Sequence, residues 1–317
     1  MGSKTMQAVV VTPGAPGNLG IAEIAAPTQD SDATLVRTRA VSLNRGEVKR
    51  AQVMEAGAQI GWDLAGIVER AAADGSGPPG GARVVGFSPA MQGWAQLVAV
   101  KSRQLAVIPE GVSFEDAATL PVAGLTALYG LERCARLLGA KVVVTGARGG
   151  VGFFACQLAV NMGARVFAQV RATEHAALFE GIALEQVVTD STGDGLAELG
   201  PFRLVLDGVG GPMLGRLTRC LEDDGQAIAY GVSDTDMTEV AIRELMFTGS
   251  GRLEGFHLYR ESEIESAGSG LARLMHLAGQ RKLRTLISRV DDWSAVGAVA
   301  TALTQRAYPG KAVLTLP

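Results

Sequence analysis

The sequence predicts an α/β protein in which a β-rich region is followed by a doubly wound parallel sheet. Short β-rich segments separated by turns fill the chain as far as Pro121, and helical and β segments alternate after it. A glycine-rich stretch at 146–152 joins a strand to a helix. The chain has 317 residues, of which 47% are hydrophobic, so two domains can each bury a core.

The β-rich region is predicted from strand-forming residues and from the Gly, Pro and Asn residues that bound them. The predicted strands are 7–11, 34–41, 66–71, 82–86 and 96–100. Residues 74–81 are predicted to form a turn between two of them. Ser113 is expected to cap a helix N-terminus, with Asp116 three residues on as in a capping box.

The second region alternates between helical and strand periodicity, which indicates a parallel sheet with helices on both faces. The predicted strands are 142–145, 165–170, 204–206 and 227–230, and a last strand at 311–316 closes the chain. The predicted helices are 125–138, 151–162, 261–282 and 294–305.

Composition and charge narrow the classes of function. The net charge is only −3 and basic residues are scattered, so nothing indicates nucleic-acid binding, and no apolar run is long enough for a membrane span. The three cysteines lie in apolar surroundings and are expected to be reduced thiols, and the N-terminus lacks an apolar signal core. We therefore expect a cytoplasmic protein that binds a small molecule.

The strand, glycine turn and helix at 142–162 predict a binding site for dinucleotide phosphates. Glycines let the backbone turn tightly and approach a pyrophosphate, whose charge then lies at the helix N-terminus. The predicted contacts are Gly146, Ala147, Arg148, Gly149, Gly150, Val151 and Gly152. A turn that only caps a helix and binds nothing is the alternative.

The end of the next strand favours NADPH over NADH. An NAD site places Asp or Glu there to bind the ribose 2′-hydroxyl, whereas this strand finishes with Gln169 and Arg171. A guanidinium binds a 2′-phosphate through paired charged hydrogen bonds. Thr173 and His175 lie close behind and could assist, and a solvated surface charge at Arg171 is the alternative.

Two further turns follow predicted strands of the same sheet. Ligands of open α/β sheets lie at the carboxyl ends of the strands. We therefore predict cofactor contacts at Asp207, Val209, Gly231, Val232 and Ser233. Plain turn chemistry remains the alternative at each position.

Four segments together resemble the medium-chain dehydrogenase/reductase superfamily, and within it the zinc-independent quinone oxidoreductase (zeta-crystallin-like) branch. They are residues 42–45, 61–66, 96–128 and 310–314. The resemblance implies a GroES-like catalytic domain of residues 1–121, completed by 262–317, and a Rossmann NADPH-binding domain of residues 122–261.

The resemblance also implies roles for individual residues. Asn44 would face the nicotinamide and the substrate, Thr126 would contact the nicotinamide end of the cofactor, and Arg171 would bind the 2′-phosphate. Residues 149–151 would hold the pyrophosphate. Lys311, in the last matching segment, joins the predicted cofactor-binding residues.

No metal is expected. The superfamily's zinc ligands would fall near Asn44 and Trp62, which are neither Cys nor His, and a catalytic zinc needs three protein ligands. His257 and His276 lie in late segments and are expected to be core or surface residues.

The segment 48–60 departs from the branch, which usually has a longer loop there with proline and an aromatic residue. This segment contains neither proline nor tyrosine, and the four tyrosines of the chain lie at 129, 230, 259 and 308. We therefore expect no phenolic acid in that loop and a substrate cleft that is more open on this side.

The implied reaction is hydride transfer from NADPH to the β-carbon of a quinone or an α,β-unsaturated carbonyl compound. Charge that develops on the carbonyl oxygen needs fixed hydrogen-bond donors. Asn44 is the first candidate, Arg45, Lys49 and Trp62 are weaker ones, and Asp63 is expected to orient its neighbours.

Two alternatives use the same fold. One is a biosynthetic tailoring enzyme that performs an enoyl reduction or a non-redox cyclisation, and the other is a protein that binds NADPH without catalysis. A homodimer is expected through a strand at 247–253, and burial of that strand within its own chain is the alternative.

Overall fold

The computed structural model describes residues 5–247 and 249–317 and confirms the predicted α/β fold class. The chain divides into two compact units. Unit 1 comprises Met1–Leu125 and Tyr259–Pro317, and unit 2 comprises Thr126–Leu258. The sequence predicts the two boundaries at 121/122 and 261/262. They lie four and three residues from the boundaries at 125/126 and 258/259 in the structure.

The strands of the described residues are, in chain order, β1 (Thr5–Val11), β2 (Leu19–Ala25), β3 (Ala33–Ser42), β4 (Asp63–Arg70), β5 (Arg83–Phe87), β6 (Leu97–Lys101), β7 (Leu105–Val107), β8 (Lys141–Val144), β9 (Arg165–Val170), β10 (Gln186–Thr189), β11 (Phe202–Asp207), β12 (Leu221–Ala229), β13 (Arg252–Gly255), β14 (Ile287–Asp292) and β15 (Lys311–Thr315).

The α-helices of the same residues are α1 (Arg45–Arg50), α2 (Phe114–Ala118), α3 (Pro121–Glu132), α4 (Gly150–Asn161), α5 (Asp194–Ala197), α6 (Gly211–Leu217), α7 (Ile242–Phe247), α8 (Leu258–Ile264), α9 (Ala267–Gly279) and α10 (Val296–Thr304). Short 3₁₀ helices occupy Pro16–Asn18, Ser102–Gln104, Thr173–Phe179, Thr218–Cys220 and Trp293–Ala295.

The main sheet of unit 1 is mostly antiparallel and has the order β14-β15-β3-β4-β5-β7, with β6 also paired to β3. Because β15 pairs with β3 and β3 pairs with β4, the end of β3 lies beside the starts of the other two strands. This arrangement brings Ser42, Asp63 and Lys311 to one edge of the sheet, although they are far apart in the sequence.

The sheet of unit 2 is parallel and has the order β10-β9-β8-β11-β12-β13. This is the strand order of the dinucleotide-binding doubly wound fold. Its central strands β8 and β11 are valine- and leucine-rich and almost wholly buried, as expected for strands covered on both faces. The carboxyl ends of β8, β9, β11 and β12 therefore meet along one edge of the sheet.

Two predicted helices differ from those of the structure by more than two residues at an end. The helix predicted at 125–138 begins at Pro121, a residue favoured in the first helical turn, and ends at Glu132 before Arg136 adopts a left-handed conformation (φ 64°). The helix predicted at 261–282 is two helices, α8 and α9, because Ser266 is extended and its hydroxyl caps α9 by accepting a hydrogen bond from the Ser269 amide.

Two other predictions also need correction. The segment 48–60 is not wholly a loop, since its first residues complete α1. The strand predicted at 247–253 begins only at Arg252, because α7 extends to Phe247; Thr248 lies outside the described residues. β13 then forms one end of the strand order in unit 2. The predicted Ser113 cap is confirmed, because its hydroxyl accepts a hydrogen bond from the Asp116 amide.

Candidate active and cofactor sites

The glycine turn of unit 2 connects β8 to α4. Gly146 has a left-handed backbone (φ +60°), which favours glycine. Its amide donates to Gln169 Oε1 (2.8 Å), while the Gln169 carbonyl accepts a hydrogen bond from Ala147 (3.0 Å). The side chain of Gln169 is buried, so this residue supports the turn from β9 and does not face solvent.

Close packing keeps this turn against the first residues of α4. A Cβ atom at Gly152 would lie 2.6 Å from the Gly146 carbonyl oxygen and 2.7 Å from Ala147 Cα, closer than real contacts allow. Gly149 is the N-cap of α4, and the first amides of a helix have no partner within it. The turn therefore offers backbone donors at a helix N-terminus, which suits the diphosphate of a dinucleotide.

Basic side chains gather beside this turn, at the carboxyl end of β9. Arg148 Nη1 lies 2.7 Å from His175 Nε2 in the 3₁₀ helix that follows β9. A guanidinium only donates, so Nε2 is assigned as the acceptor and the imidazole proton is placed on Nδ1. That Nδ1 atom is buried without a hydrogen-bond partner in the described part of the chain. Arg171, directly after β9, is exposed.

A second turn follows β11 and is organised by Asp207. Its carboxylate accepts hydrogen bonds from the Thr145 hydroxyl (2.6 Å), the Gly210 amide (2.7 Å) and the Val209 amide (3.2 Å). Burial raises the pKa of Asp207, although these hydrogen bonds act in the opposite direction. All of these partners belong to unit 2 itself, so Asp207 shapes the predicted binding edge by holding the turn together.

The third turn, at 231–233, packs against the second. The Ser233 amide donates to the Gly208 carbonyl (3.2 Å), and a Cβ atom at Gly231 would lie 3.3 Å from the same oxygen. Val232 is exposed. A Cβ atom at Gly146 would lie 3.5 Å from Val209 Cγ2, so the first turn also adjoins the second. The structure thus brings the predicted cofactor-binding residues of the three turns to one edge.

Unit 1 contains a largely buried polar cluster around Asn44, at the start of α1. Asn44 Nδ2 donates to Asp63 Oδ2 (2.7 Å) and lies 3.4 Å from Glu47 Oε1. Asp63 also accepts hydrogen bonds from the Ser42 hydroxyl (2.7 Å) and the Val122 amide (2.9 Å). The predicted orienting role of Asp63 is therefore consistent with its contacts, whereas both N–H bonds of Asn44 are directed at carboxylates.

Lys311 is the cation of this cluster. Its ammonium donates to Asn44 Oδ1 (2.5 Å), the Leu43 carbonyl (2.9 Å) and Asp63 Oδ2 (3.2 Å). Its side chain is 4% exposed. Its three protons are all donated inside unit 1, so Lys311 would have to release one of these partners before it could touch a cofactor.

Glu47 is a member of the cluster that the sequence predictions missed. Its carboxylate accepts hydrogen bonds from the Asn44 amide (2.6 Å) and the Trp62 amide (2.7 Å). Burial and the nearby Asp63 raise the pKa of Glu47 to about 8, against the opposite effects of Lys311 and the two amides. The spacing of Asn44 and Glu47 is that of a capping box, and this signal was present in the sequence.

The raised pKa of Glu47 predicts a pH dependence of stability. The pKa of Glu47 is near 4.5 in the unfolded state, so the folded state holds this proton more tightly. The contribution to stability is therefore complete below pH 4.5 and is lost as the pH rises towards 8, by at most about 1.4 kcal/mol per pH unit for one proton. Urea unfolding of wild type and Glu47→Gln across this range measures the difference. An identical slope in both proteins would contradict the prediction.

An aromatic corner adjoins the cluster. Trp62 Nε1 donates to the Tyr259 hydroxyl (2.5 Å), which donates to the Pro89 carbonyl (3.0 Å). Burial raises the pKa of Tyr259. The loop 48–60 indeed has no tyrosine, but the fold brings one to Trp62 from 197 positions along the chain. No local signal in the sequence indicates this pairing.

The remaining predicted residues are placed as follows. Arg45 is half-buried in α1, and Lys49 is exposed on the same helix. Thr126 is buried in α3 and belongs to unit 2. Within residues 5–247 and 249–317, no group of three or more His, Cys, Asp or Glu side chains could hold a metal ion.

Comparisons of sequence relate the chain to several kinds of protein. The family model for zinc-binding dehydrogenases matches residues 150–273. The chain is 32% identical over 296 residues to the spectinabilin polyketide synthase system protein NorB of Streptomyces orinoci, covering 89% of this chain and 13% of that protein. It is 27% identical over 266 residues to quinone oxidoreductase-like protein 2 of Bos taurus, covering 81% of this chain and 76% of that protein.

Solved structures resemble nearly the whole chain. The quinone oxidoreductase from Coxiella burnetii has a TM-score of 0.83 and 25% identity, covering 99% of this chain and 100% of that chain. A mycobacterial protein solved in complex with NADPH has a TM-score of 0.87 and 24% identity, covering 98% of this chain and 100% of that chain. The second likeness concerns the fold alone.

Proposed function

Because this chain belongs to the quinone oxidoreductase-like branch of the medium-chain dehydrogenase/reductase superfamily, we propose that it is an NADPH-dependent reductase of quinones or α,β-unsaturated carbonyl compounds. The observation that carries the proposal is the glycine turn at 146–152, with Arg148, Arg171 and His175 beside it. When bound, NADPH would supply a hydride to the substrate. The residues of this chain would bind the cofactor, and they would orient and polarise the substrate.

The proposed cofactor contacts follow from unit 2. The amides at the start of α4 would hold the diphosphate, and the turns after β11 and β12 would border the ribose and nicotinamide. Arg171 and Arg148 would bind the 2′-phosphate, with His175 Nδ1 as a further donor. No carboxylate stands at the last residue of β9, Val170, or at Arg171, so nothing there repels a 2′-phosphate.

The activity is tested by following NADPH oxidation with a panel of quinones, enones and enals. We expect oxidation of NADPH in step with formation of the reduced product. Tight binding of NADPH without turnover on the whole panel would instead indicate a binding protein.

Cofactor selectivity depends on Arg171 and Arg148 in this proposal. Arg171→Ala is expected to raise the KM for NADPH about ten-fold or more and to leave the KM for NADH unchanged, because only NADPH carries the 2′-phosphate. Arg165→Ala is the matched control, since Arg165 is an exposed arginine at the opposite end of β9 that pairs with Glu185. Equal losses for both cofactors, or none, would refute a role in 2′-phosphate binding.

A second candidate function is supported by the similarity to a polyketide synthase protein, which covers 89% of this chain. In this case the substrate would be an enoyl thioester of a biosynthetic pathway, reduced by the same residues. Comparing kcat/KM for an enoyl thioester and for a simple quinone discriminates the two candidates. Conversion of a thioester substrate without NADPH oxidation would indicate the non-redox cyclisation.

We propose a homodimer that forms through the β13 end of the sheet. β13 is an edge strand with the apolar side chain of Leu253 exposed on it, and Met246 and Phe247 of the preceding helix α7 are exposed as well. Light scattering during size-exclusion chromatography is expected to give the mass of two chains for wild type and of one chain for Leu253→Lys. Val290→Lys, at an exposed valine of unit 1, is the control and should stay dimeric. A single-chain mass for wild type would exclude the dimer.

The proposed location is the cytoplasm. No α-helix within residues 5–247 or 249–317 combines the length and hydropathy that a bilayer crossing requires. Cys134 and Cys156 are buried and Cys220 is half-buried, each as a free thiol, which fits the reducing compartment that the sequence suggests.

A further inference from the structure

Arg148 and His175 form a contact between the glycine turn and the 3₁₀ helix that follows β9, both in unit 2. Arg148 Nη1 lies 2.7 Å from His175 Nε2, and both side chains are half-buried. The 3₁₀ helix is itself packed on α4, because the ring centroids of Phe179 and Phe153, both buried, lie 5.7 Å apart. The imidazole is therefore fixed relative to α4, and it holds the guanidinium beside the start of that helix.

The contact needs one particular tautomer of His175. A guanidinium has no acceptor atom, so Nε2 must be the acceptor and the ring proton must lie on Nδ1. Nδ1 is buried without a hydrogen-bond partner in residues 5–247 and 249–317, so no acceptor in these ranges selects that tautomer. Arg148 selects it instead. Because Nδ1 is shielded, a ligand would reach it only if the ring moved, whereas the contact through Nε2 exists with the ring in place.

Arg171 differs from Arg148 in how its side chain is held. It is exposed, and its guanidinium has no hydrogen bond or ion pair within the described residues. A long side chain that becomes ordered only when a ligand binds lowers the affinity by about two- to ten-fold. This cost applies in full to Arg171, and it is smaller for Arg148, which His175 already holds.

We propose that His175 is a positioning residue that holds Arg148 for the 2′-phosphate of NADPH, and that Arg148 contributes more than Arg171 to the selectivity for NADPH over NADH. A guanidinium donates through several N–H bonds, so holding one of them at His175 is compatible with binding a phosphate through others. The inference rests on the proposed NADPH site of unit 2, and it makes the effect of His175 on the phosphate indirect.

A double-mutant cycle on the full chain measures whether His175 acts through Arg148. The readout is the ratio of the affinities for adenosine 2′,5′-bisphosphate and for 5′-AMP, which differ only in the 2′-phosphate. His175→Leu is expected to lower this ratio about ten-fold in wild type and less than about two-fold in the Arg148→Ala background, where the group that it positions is gone. Ten-fold losses in both backgrounds would mean that His175 binds the phosphate directly, and they would overturn the proposal.

The same ratio in matched variants separates positioning from support of the turn. His175→Gln should keep most of the ratio, because its side-chain oxygen can accept from Arg148. His276→Leu, at an exposed histidine of unit 1 that contacts Gln280, is the control and should keep all of it. Arg148→Ala is expected to lower the ratio about 100-fold and Arg171→Ala about ten-fold. The reverse order, or equal losses of affinity for both ligands in His175→Leu, would overturn the proposal.

The tautomer of His175 gives a readout that needs no ligand. The chain has histidines only at 175, 257 and 276, so 15N-histidine labelling gives three pairs of ring signals, and His175→Leu identifies one pair. Under mildly alkaline conditions we expect the His175 proton on Nδ1 in wild type, and more of it on Nε2 in Arg148→Ala, where Nε2 has lost its donor. Arg165→Ala, at the opposite end of β9, should leave the signals unchanged. A proton on Nε2 in wild type would overturn the proposal.

The tests distinguish the positioning role from the reductase activity. The predicted ratios and tautomer in a protein that turns over no quinone, enone or enal would refute the reductase and retain the positioning role. Turnover of NADPH with a ratio that ignores His175→Leu would retain the reductase and overturn the positioning role. A wild-type ratio near one would refute the 2′-phosphate site and, with it, the positioning role.

Discussion

Replacing Lys311 by methionine is expected to lower the free energy of unfolding of unit 1 by about 3–5 kcal/mol. The lysine is the cation within hydrogen-bond reach of Asp63, and Glu47 lies in the same buried cluster. Without it, the buried Asp63 carboxylate loses its cation and the Leu43 carbonyl loses its side-chain donor. The loss of stability is the free-energy cost of leaving the Asp63 charge buried without a cation.

Tryptophan fluorescence during urea unfolding measures this effect. The three tryptophans, at 62, 94 and 293, all lie in unit 1, so their emission reports on the unit that contains the cluster. Lys101→Met is the matched control, because Lys101 pairs with Asp30 and Asp32 in solvent and its loss should have little effect. Similar midpoints for the two variants would show that the buried cluster does not stabilise the fold.

Substituting Gly152 by alanine is expected to weaken NADPH binding about 100-fold, the loss of two charge-assisted hydrogen bonds, and to lower the free energy of unfolding by about 1–3 kcal/mol. The new Cβ would collide with backbone atoms of Gly146 and Ala147, which have no flexible side chain to move aside. The turn must then shift away from the start of α4, and the amides that would hold the diphosphate move with it.

Cofactor titration by fluorescence, with circular dichroism of the same samples, tests this prediction. Gly195→Ala is the control, because a Cβ at this helical position of unit 2 would make an ordinary contact of 3.5 Å with Asp190 Oδ2. Unchanged affinity in a folded Gly152→Ala protein would mean that the turn at 146–152 does not hold the cofactor.

Local sequence signals predict the strand, the glycine turn and the helix at 142–162 of unit 2 well. A β-branched run, a set of glycines and an amphipathic segment within about 20 residues define a strand, a turn and a helix, since each depends on neighbours in the chain. The same holds for the Ser113 cap, whose partner is three residues away. The split between α8 and α9 was missed because one serine with extended backbone separates two helical patterns that look continuous.

The polar cluster of unit 1 could not be predicted from local sequence signals, because the fold brings its members together. Its motifs at 42–45, 61–66 and 310–314 were visible as separate segments, and the residues in them were predicted to bind or react one by one. Their contacts join positions 19 to 268 residues apart, and sequence spacing carries no information about which N–H bond or carboxylate oxygen meets which partner. The direction of the Asn44 amide is therefore a property of the assembled sheet edge.

The sequence alone was sufficient for the fold class, the glycine turn and the missing acid after β9, because the period of apolar residues and the charge of single side chains are local quantities. The packed structure alone revealed the burial of Lys311, the part played by Glu47, the pairing of Trp62 with Tyr259 and the contact of Arg148 with His175. Burial and hydrogen-bond partners arise only when strands and helices from distant parts of the chain meet, and they decide which polar groups remain available to a ligand.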